Sequence, residues 1–345
     1  MEDYTHLLLK QTTEDYNNND KLYFTYKQQG YFGIQQSKIN GTFHIRYPTN
    51  SPLRAEKIDI IFSGRGMVQW NEGNRINYGE IKYFEYSSCV YNENGNEFEK
   101  GLSYSDLPFE FKIPENAPSS ILPIPSKLTN HLGKARIYYS IKAVITKARK
   151  RFVLKKSKKI VEVECPIVRY VQQKETENQE SVTLMKKFND NEYSILFEKT
   201  KFNQNDNINV PLNIKFNNGK ENMENLNNIK KIKISFKEYY LLKVGNKTHL
   251  VKNILSSNII NKEKLSRVDD NSFNKYFVDC KLSLYGKRIR CSTKTELINV
   301  WHQVDIDVFL KGRKKIRLFE KIVDIVNSID EFKNRNESEE EEYDL

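Results

Sequence analysis

The chain has 345 residues, of which 38% are hydrophobic and 29% charged, and its formal net charge is +11. This is the balance of a globular protein, and the length is sufficient for two ordinary hydrophobic cores. There is no apolar run of about 18 residues, and the N-terminus MEDYTHLLLK has two acids and only three consecutive leucines, so we expect neither a membrane span nor a secretory signal, and a cytoplasmic protein.

The first predicted strands lie in the stretches KINGTFHIRYPTN and AEKIDIIFSGRG. Four apolar side chains of the first stretch alternate with polar ones, as in a half-buried strand: Ile39, Phe43, Ile45 and Tyr47. A turn at Ser51 and Pro52 separates the two stretches, which predicts a hairpin. Residues 71–101 are rich in Asn, Gly and Glu, and we interpret them as variable hairpins and loops.

The segment from residue 107 to residue 147 predicts two further strands with a proline-rich crossing between them. In the first strand Phe109, Phe111 and Ile113 alternate with polar residues. Pro114 then ends the strand, because proline has no N–H for the ladder and a fixed φ. The second strand has six apolar side chains on one face: Ala135, Ile137, Tyr139, Ile141, Ala143 and Ile145. We therefore expect the chain to leave one sheet and cross to another.

A polar run, QQKETENQE, follows Pro166 and contains nothing to bury, which is typical of an interdomain linker. Alternation resumes in NINVPLNIKFNNGK, where Pro211 favours an edge position or a bulge. It continues in IKKIKISFKEYYLLKV, and the stretches VWHQVDIDVFLKG and IRLFEKIVDIV predict a closing pair of strands. Helical periodicity is poor throughout.

The predicted fold class is therefore all-β, with two immunoglobulin-like antiparallel β-sandwich domains joined by a short linker. Five segments follow from the pattern: an N-terminal extension (1–19), a first sandwich (20–168), a linker (169–190), a second sandwich (191–327) and an acidic tail (328–345).

This pattern resembles the arrestin family. The run from Phe109 to Pro114, followed by a Pro-Ser turn and a long strand ending in basic residues, is similar to the N-terminal arrestin sandwich. The early strand that contains Gly41 is also similar to a strand of this N-terminal sandwich. The later order of strand, Asn-rich turn and strand ending in aromatics resembles the start of the arrestin C-terminal domain, and the last two strands resemble its closing hairpin. The resemblance covers roughly residues 20 to 327 and implies the arrestin fold.

Basic residues are clustered in the chain. The densest cluster, KARKRFVLKKSKK, has two basic blocks around an apolar trio, as at the tip or bend of a hairpin: Lys147, Arg149, Lys150, Arg151, Lys155, Lys156, Lys158 and Lys159. A second cluster is GKRIR, and a third is KGRKKIR with Lys314 and Lys315. Such patches attract phosphates of nucleic acid, inositol lipids or phosphorylated peptides, and composition does not separate these. The plain alternative is a solvated surface.

Catalytic and metal-binding motifs are nearly absent. The five histidines lack metal-ligand spacing, and the four cysteines form no Cys-x-x-Cys pair. Gly64-Arg65-Gly66 lacks the third glycine of a dinucleotide loop and is interpreted as a turn. His302 is expected in the core, and Asp305 and Asp307 on the opposite face are expected to be solvated or paired with nearby bases. We expect no enzymatic activity, no metal and no cofactor.

The resemblance implies a cytosolic adaptor that binds the cytoplasmic tails of membrane receptors or transporters and regulates their endocytosis, ubiquitin-dependent sorting or signalling. It would be recruited to the plasma membrane or endosomes, where anionic phospholipids are further candidate partners. The Pro-Pro-x-Tyr motif of α-arrestins is absent, so a ubiquitin ligase would be reached through an intermediary. The buried charged cluster that arrestins have at the domain junction cannot be matched residue by residue.

The acidic tail is the last feature of the sequence. Residues 337–345 contain six acids and no base, so the rest of the chain has a formal charge of +17, and four of the six acids are consecutive: Glu339, Glu340, Glu341 and Glu342. Arrestins are held in a basal state by a C-terminal segment lying on the N-terminal domain, so the resemblance implies an autoinhibitory tail. A solubilising tail is the alternative.

Two other functions remain open from sequence. One is a scaffold of a coat or sorting complex, similar to the arrestin-fold subunit of retromer. The other is a basic β-sandwich that binds nucleic acid, with Phe152, Tyr285 and Phe319 beside the basic clusters. The adaptor is favoured over both, and nucleic acid is the less expected partner.

Overall fold

The computed structural model describes residues 21–93, 101–121, 134–147, 157–177, 179–188, 191–216, 228–267, 275–287, 289–313 and 315–329. Nearly all regular structure in these ranges is β-strand, which confirms the predicted all-β class. The chain divides by its internal contacts into two compact units, Met1–Arg169 and Tyr170–Leu345.

The first unit is built from two antiparallel sheets. Its described strands are β1 (Leu22–Gln29), β2 (Lys38–Arg46), β3 (Ala55–Glu72), β4 (Arg75–Asn92), β5 (Tyr104–Lys112), β6 (Lys134–Lys147) and β7 (Lys158–Glu164). One sheet has the order β1-β2-β5 and the other the order β4-β3-β6-β7. The Phe62 ring of β3 lies 5.7 Å from the Phe111 ring of β5, so aromatic side chains join the sheets in a shared core.

The predicted crossing between β5 and β6 is confirmed. Phe109, Phe111 and Ile113 are buried, and so is the predicted apolar face of β6. β5 pairs with β2 in the three-stranded sheet, whereas β6 pairs with β3 and β7 in the four-stranded sheet. The segment that contains Pro114 therefore carries the chain from one sheet to the other.

The predicted hairpin of β2 and β3 is wrong. β2 pairs with β1 and β5, while β3 pairs with β4 and β6. The two strands lie in opposite sheets, so the residues between them form another crossing. Alternation marked both strands correctly, but it contains no information about which strand is the neighbour.

Two other predictions in this unit are also wrong. Gly64-Arg65-Gly66 is not a turn but lies inside β3, and most of residues 71–101 belongs to the continuous strand β4. A Cβ at Gly64 would lie 2.6 Å from the Tyr139 ring and 2.7 Å from the Phe84 ring, so this glycine makes room for aromatic side chains. β4 is an edge strand and largely exposed, and its register against β3 shifts at two places, which breaks the alternation of its apolar residues.

Gly41 has a similar role in β2. A Cβ there would lie 2.4 Å from the carbonyl oxygen of Thr25 and 2.5 Å from the Phe109 ring. The backbone oxygen cannot move without separating β1 from β2, so the close approach of the two strands requires glycine.

The second unit also contains two sheets. Its strands are β8 (Tyr170–Gln172), β9 (Val182–Phe188), β10 (Asn191–Phe197), β11 (Lys201–Asn203), β12 (Asn207–Phe216), β13 (Ile229–Val244), β14 (Lys247–Asn261), β15 (Ser266–Arg267), β16 (Lys275–Ser283), β17 (Thr293–Lys294), β18 (Ile298–Leu310) and β19 (Lys315–Ile329). The first sheet has the order β15-β16-β12-β10-β9. The second has the order β11-β19-β18-β13-β14, with β17 beside β18 and β8 beside β19. The hydrophobic core contains residues of both sheets, among them Phe216, Phe236 and Ile306.

The closing strands of this unit agree with the sequence. β18 and β19 pair antiparallel, and His302 is fully buried on the core face of β18. β12 is an interior strand, but its pairing with β10 ends at Leu212. Pro211 lies just outside that ladder but is opposite Asp279 in the unbroken pairing of β12 with β16, so the predicted edge position or bulge is wrong.

The predicted linker, residues 169–190, has more structure than its polar composition indicates. It contains β8, the helix α1 (Gln173–Glu177) and β9. β8 pairs in parallel with β19, and β9 pairs with β10. From Tyr170 onward the segment belongs to the second unit, where its strands pair with β19 and β10.

Candidate functional site

The described members of the densest basic cluster lie at the end of β6 and the start of β7. Thr146 is opposite Lys158, and the backbone N–H of Lys147 donates to the carbonyl oxygen of Ser157 at 3.0 Å. Lys147 and Lys158 are exposed, and Lys159 is half-buried with its Nζ 3.4 Å from the Tyr47 hydroxyl. We call Lys147, Lys158 and Lys159 the basic hairpin end. The other predicted residues of this cluster lie outside the described residues: Arg149, Lys150, Arg151, Lys155 and Lys156.

Among the described residues, no acid neutralises the charge of the basic hairpin end. The two acids further along β7 are occupied, since Glu162 pairs with Lys142 at 3.3 Å and Glu164 with Arg136 at 3.2 Å. Within the described part of the chain, none of the three lysines of the basic hairpin end forms an ion pair. Their positive charge is therefore available to an external anion.

The third basic cluster is partly used inside the molecule. Lys315 Nζ lies 2.9 Å from Asp307 Oδ2, and Arg317 Nε lies 3.2 Å from Asp307 Oδ1. Asp305 is fully buried and contacts Lys237 and Arg317. The expectation that these aspartates pair with bases is confirmed, whereas solvation of Asp305 is wrong. Lys314 lies outside the described residues, as do Glu339, Glu340, Glu341 and Glu342.

A second buried charged group occupies the core face of β13 and β18. Glu238 is fully buried, and its Oε1 accepts a hydrogen bond from the Arg290 backbone N–H at 3.1 Å and lies 3.4 Å from His302 Nε2. The Tyr240 hydroxyl donates to Glu238 Oε2, and Arg290 Nη1 donates to the Tyr240 hydroxyl at 2.6 Å. Ser292 Oγ lies 3.1 Å from His302 Nδ1.

Ionised Glu238 is stabilised by these partners. Burial raises the pKa of Glu238, but hydrogen bonds from His302 and Tyr240 and the charge of Arg290 outweigh this effect and bring the pKa below its ordinary value. Burial and the negative charge of Glu238 raise the pKa of Tyr240. The cluster thus holds a carboxylate inside the apolar face of the sandwich.

Sequence reasoning missed Glu238, although a signal was present. Glu238 is two residues from Phe236 and two from Tyr240, so strand alternation places it on the apolar face. An acid at a core-facing position of a strand needs a partner. The alternation of apolar residues in β13 therefore identifies Glu238 as a candidate for a buried, paired carboxylate.

A third polar cluster lies across β1, β2 and β5 on the face away from the core. His44 Nε2 lies 2.8 Å from Thr25 Oγ1, and His44 Nδ1 lies 2.7 Å from Asp106 Oδ1. Arg46 Nη2 donates to the same Asp106 oxygen at 2.6 Å, and the Tyr23 ring stacks on His44 with centroids 4.6 Å apart. Hydrogen bonds from His44 and Arg46 lower the pKa of Asp106.

This cluster connects all three strands of the sheet. His44 is directly opposite Asp106 in the β2–β5 register, which links two residues that are far apart in sequence. A hydroxyl, an imidazole and a carboxylate also occur in this order in nucleophilic triads. Here Arg46 shares the carboxylate, and the network fixes the register of the sheet. Beside it lies a shallow groove of about 720 Å³ with polar and apolar lining residues, among them Lys27, Glu110 and Phe109.

No family model matches the chain, and no curated protein sequence matches it. In the ranges that the structure describes, no helix is both long and apolar enough to cross a membrane. The described residues also contain no group of three or more His, Cys, Asp or Glu side chains placed to hold a metal ion.

Proposed function

We propose that this protein is an arrestin-like adaptor that binds cytoplasmic regions of membrane proteins and regulates their endocytosis, ubiquitin-dependent sorting or signalling. The observation that carries the proposal is the basic hairpin end, where three lysines at the end of the paired β6 and β7 strands form no ion pair with a described acid. The resemblance of the strand pattern to arrestins supports the same function.

The charge distribution favours the first basic cluster over the other two. Lys315 and Arg317 of the third cluster are held by buried aspartates, and Arg290 of the second is held by Glu238 and Tyr240. Lys147, Lys158 and Lys159 have no such partners among the described residues. An external phosphate therefore competes with no described acid for these three lysines.

A cluster of this kind fits the negative surface of a cytoplasmic leaflet. Each base near an anionic membrane contributes about 1 kcal/mol at low screening. The sequence adds Phe152, Val153 and Leu154 between the two basic blocks, a composition typical of an interfacial contact. The adaptor would then reach the tails of receptors or transporters at the plasma membrane or endosomes, and a ubiquitin ligase through an intermediary.

The test is vesicle co-sedimentation of the full chain with and without phosphoinositides. Replacing Lys150, Arg151, Lys155 and Lys156 by Glu should abolish binding to phosphoinositide vesicles and leave the circular dichroism spectrum unchanged. The matched control carries the same four charge reversals on described lysines elsewhere: Lys187, Lys262, Lys264 and Lys294. The control should bind like the unchanged protein.

Equal loss of binding in both variants would reduce the effect to net charge and contradict a dedicated site. Binding of single-stranded DNA instead of vesicles would favour the nucleic-acid alternative. Co-purification of stoichiometric subunits would favour the coat or sorting-complex scaffold.

A further inference from the structure

The groove on the β1-β2-β5 sheet lies on the face that points away from the core of the first unit. The strand register places Thr25, Thr42 and Pro108 side by side in one row across the three strands. The next row on the same face has longer side chains: Lys27, Asn40 and Glu110. Both rows line the groove, so the short row forms its floor and the longer row forms one wall. Its volume of about 720 Å³ is in the range of ordinary ligand sites.

The row on the other side of the floor contains Tyr23, His44 and Asp106, which the register also places side by side. Thr25 connects the two features, because it lines the groove and its Oγ1 lies 2.8 Å from His44 Nε2. The Tyr23 side chain is 41% exposed. The floor therefore has hydrogen-bonding groups along one side and a row with an exposed aromatic ring along the other.

The lining of the groove has no net charge. Among its described lining residues only Lys27 and Glu110 are charged, and their signs are opposite. In the neighbouring row, Asp106 is paired with Arg46 at 2.6 Å. The groove thus favours neither an anion nor a cation, in contrast to the basic hairpin end.

The polar groups of the groove are held in place and still have hydrogen-bonding capacity. Glu110 is paired with Lys38 through Oε1 at 2.8 Å, yet its side chain is 49% exposed. A carboxylate has about four acceptor positions, so Glu110 can also accept from a ligand hydroxyl. Asn40 Nδ2 donates to Gln29 Oε1 at 2.8 Å, which fixes both amides. The ammonium of Lys27 and the threonine hydroxyls of the floor supply donors.

We propose that this groove binds a neutral oligosaccharide. Sugar hydroxyls both donate and accept hydrogen bonds, so they match a lining that contains a carboxylate, an ammonium, amides and hydroxyls without net charge. The C–H face of a sugar ring would pack against the exposed Tyr23 ring. This inference goes beyond the proposed function and does not rest on it, since the basic hairpin end belongs to the other sheet of the unit.

An extended peptide fits the groove less well than a sugar chain. A peptide that adds to a sheet uses the backbone groups of an edge strand. The groove crosses the face of the sheet, and its central strand β2 is already paired on both sides, with β1 and β5. An oligosaccharide needs only side-chain hydrogen bonds and a ring contact, which this face supplies.

Isothermal titration calorimetry of the full chain with four neutral hexasaccharides tests the proposal: maltohexaose, cellohexaose, mannohexaose and xylohexaose. At least one of them should bind with a Kd of about 1 mM or tighter. Its affinity should not change between about 0.05 and about 0.5 M salt, because salt does not screen a neutral ligand. Lys27→Ala combined with Glu110→Gln should weaken binding at least about tenfold. Thr42→Trp should abolish binding, since an indole at this position fills the floor.

The matched controls are Thr183→Trp and Lys187→Ala, which make the same kinds of change at exposed positions of β9 in the second unit. Both should bind the sugar like the unchanged chain. Lys27 and Glu110 are exposed, so their double variant should keep the circular dichroism spectrum of the unchanged chain even if Thr42→Trp does not.

Three results would overturn the proposal. The first is no saturable binding of any of the four sugars up to about 5 mM. The second is equal affinity of the Lys27→Ala/Glu110→Gln variant and the unchanged chain. The third is tighter binding of a sulfated hexasaccharide that weakens as salt rises, which would assign the groove to an anion. The Lys150, Arg151, Lys155 and Lys156 variant should keep its sugar affinity, so failure at the groove and failure of vesicle binding are distinguishable.

Discussion

At the scale of single residues, the second unit shows how a buried acid becomes part of a β-sandwich. Glu238 is on the core face, where an isolated carboxylate would be protonated or strongly destabilising. Arg290, Tyr240 and His302 surround it, and Arg290 reaches it from the segment between β16 and β17. The cluster thus connects that segment to the central strands β13 and β18.

Glu238→Gln should destabilise the protein by about 3–5 kcal/mol at pH 7, the usual cost of breaking a buried ion pair by removing one partner. The pKa of Glu238 is lowered from its ordinary value of 4.5. Its stabilising contribution is therefore complete above pH 4.5 and is lost as the pH falls through the folded-state value. The difference between the two proteins in urea denaturation should shrink steadily below about pH 4.5.

The matched control is Glu110→Gln, because Glu110 forms an exposed pair with Lys38 at 2.8 Å. This substitution should change stability by less than about 0.5 kcal/mol. A Glu238→Gln difference that stays constant from pH 7 to pH 3 would contradict the proposed role of the ionised carboxylate.

The sequence predicts that His302 is buried, but it does not predict which side chains come together in each polar cluster. The face of His302 follows from alternation within one strand. The Thr25–His44–Asp106 cluster depends on the register of three strands, and His44 meets Asp106 only because β2 and β5 are paired. A single sequence contains no direct signal for such pairing.

At the scale of elements, the segment between the two units shows that a polar run can be well anchored. Gln179 Oε1 accepts hydrogen bonds from the backbone N–H groups of Thr200 and Lys201, at 2.7 and 2.9 Å. These residues lead into β11, which pairs with β19. The side-chain amide of Gln179 thus holds the start of an edge strand.

Gln179→Ala should destabilise the protein by about 1–3 kcal/mol, because it leaves the two N–H groups without their acceptor. Gln173→Ala is the control, since the Gln173 side-chain amide donates to Glu177 across one exposed turn of α1 and accepts from no backbone N–H in the described part of the chain. Urea denaturation measures both changes, and trypsin should cut near Lys174 faster in the Gln179 variant. Equal midpoints for the two variants would contradict this role of Gln179.

The sequence predicts the positions of strands better than it predicts which strands pair with each other. The apolar faces of β5 and β6 follow from period-two alternation, and both are buried as expected. β2 and β3 show the same alternation, yet they lie in opposite sheets. β4 does not show this alternation, because two register shifts against β3 interrupt the order of its apolar and polar residues.

At the scale of the whole molecule, charge is divided unequally along the chain. The six acids after Asn336 oppose a charge of +17 on the remaining residues. The described part of the chain already uses many cations in internal pairs, including Lys237, Lys315 and Arg317. Cations without such partners, such as those of the basic hairpin end, are the ones that an acidic tail or an external anion would meet.

Truncation after Asn336 should therefore tighten binding to anionic vesicles severalfold at low salt, if the tail competes for the basic clusters. The gain should shrink as the salt concentration rises, because the screening length is about 10 Å at 0.1 M. A variant with Gln at positions 339, 340, 341 and 342 keeps the length of the tail and should reproduce most of the gain. Co-sedimentation across a salt series measures all three proteins, and equal affinity of the full-length and truncated chains at low salt would leave the tail without an autoinhibitory role.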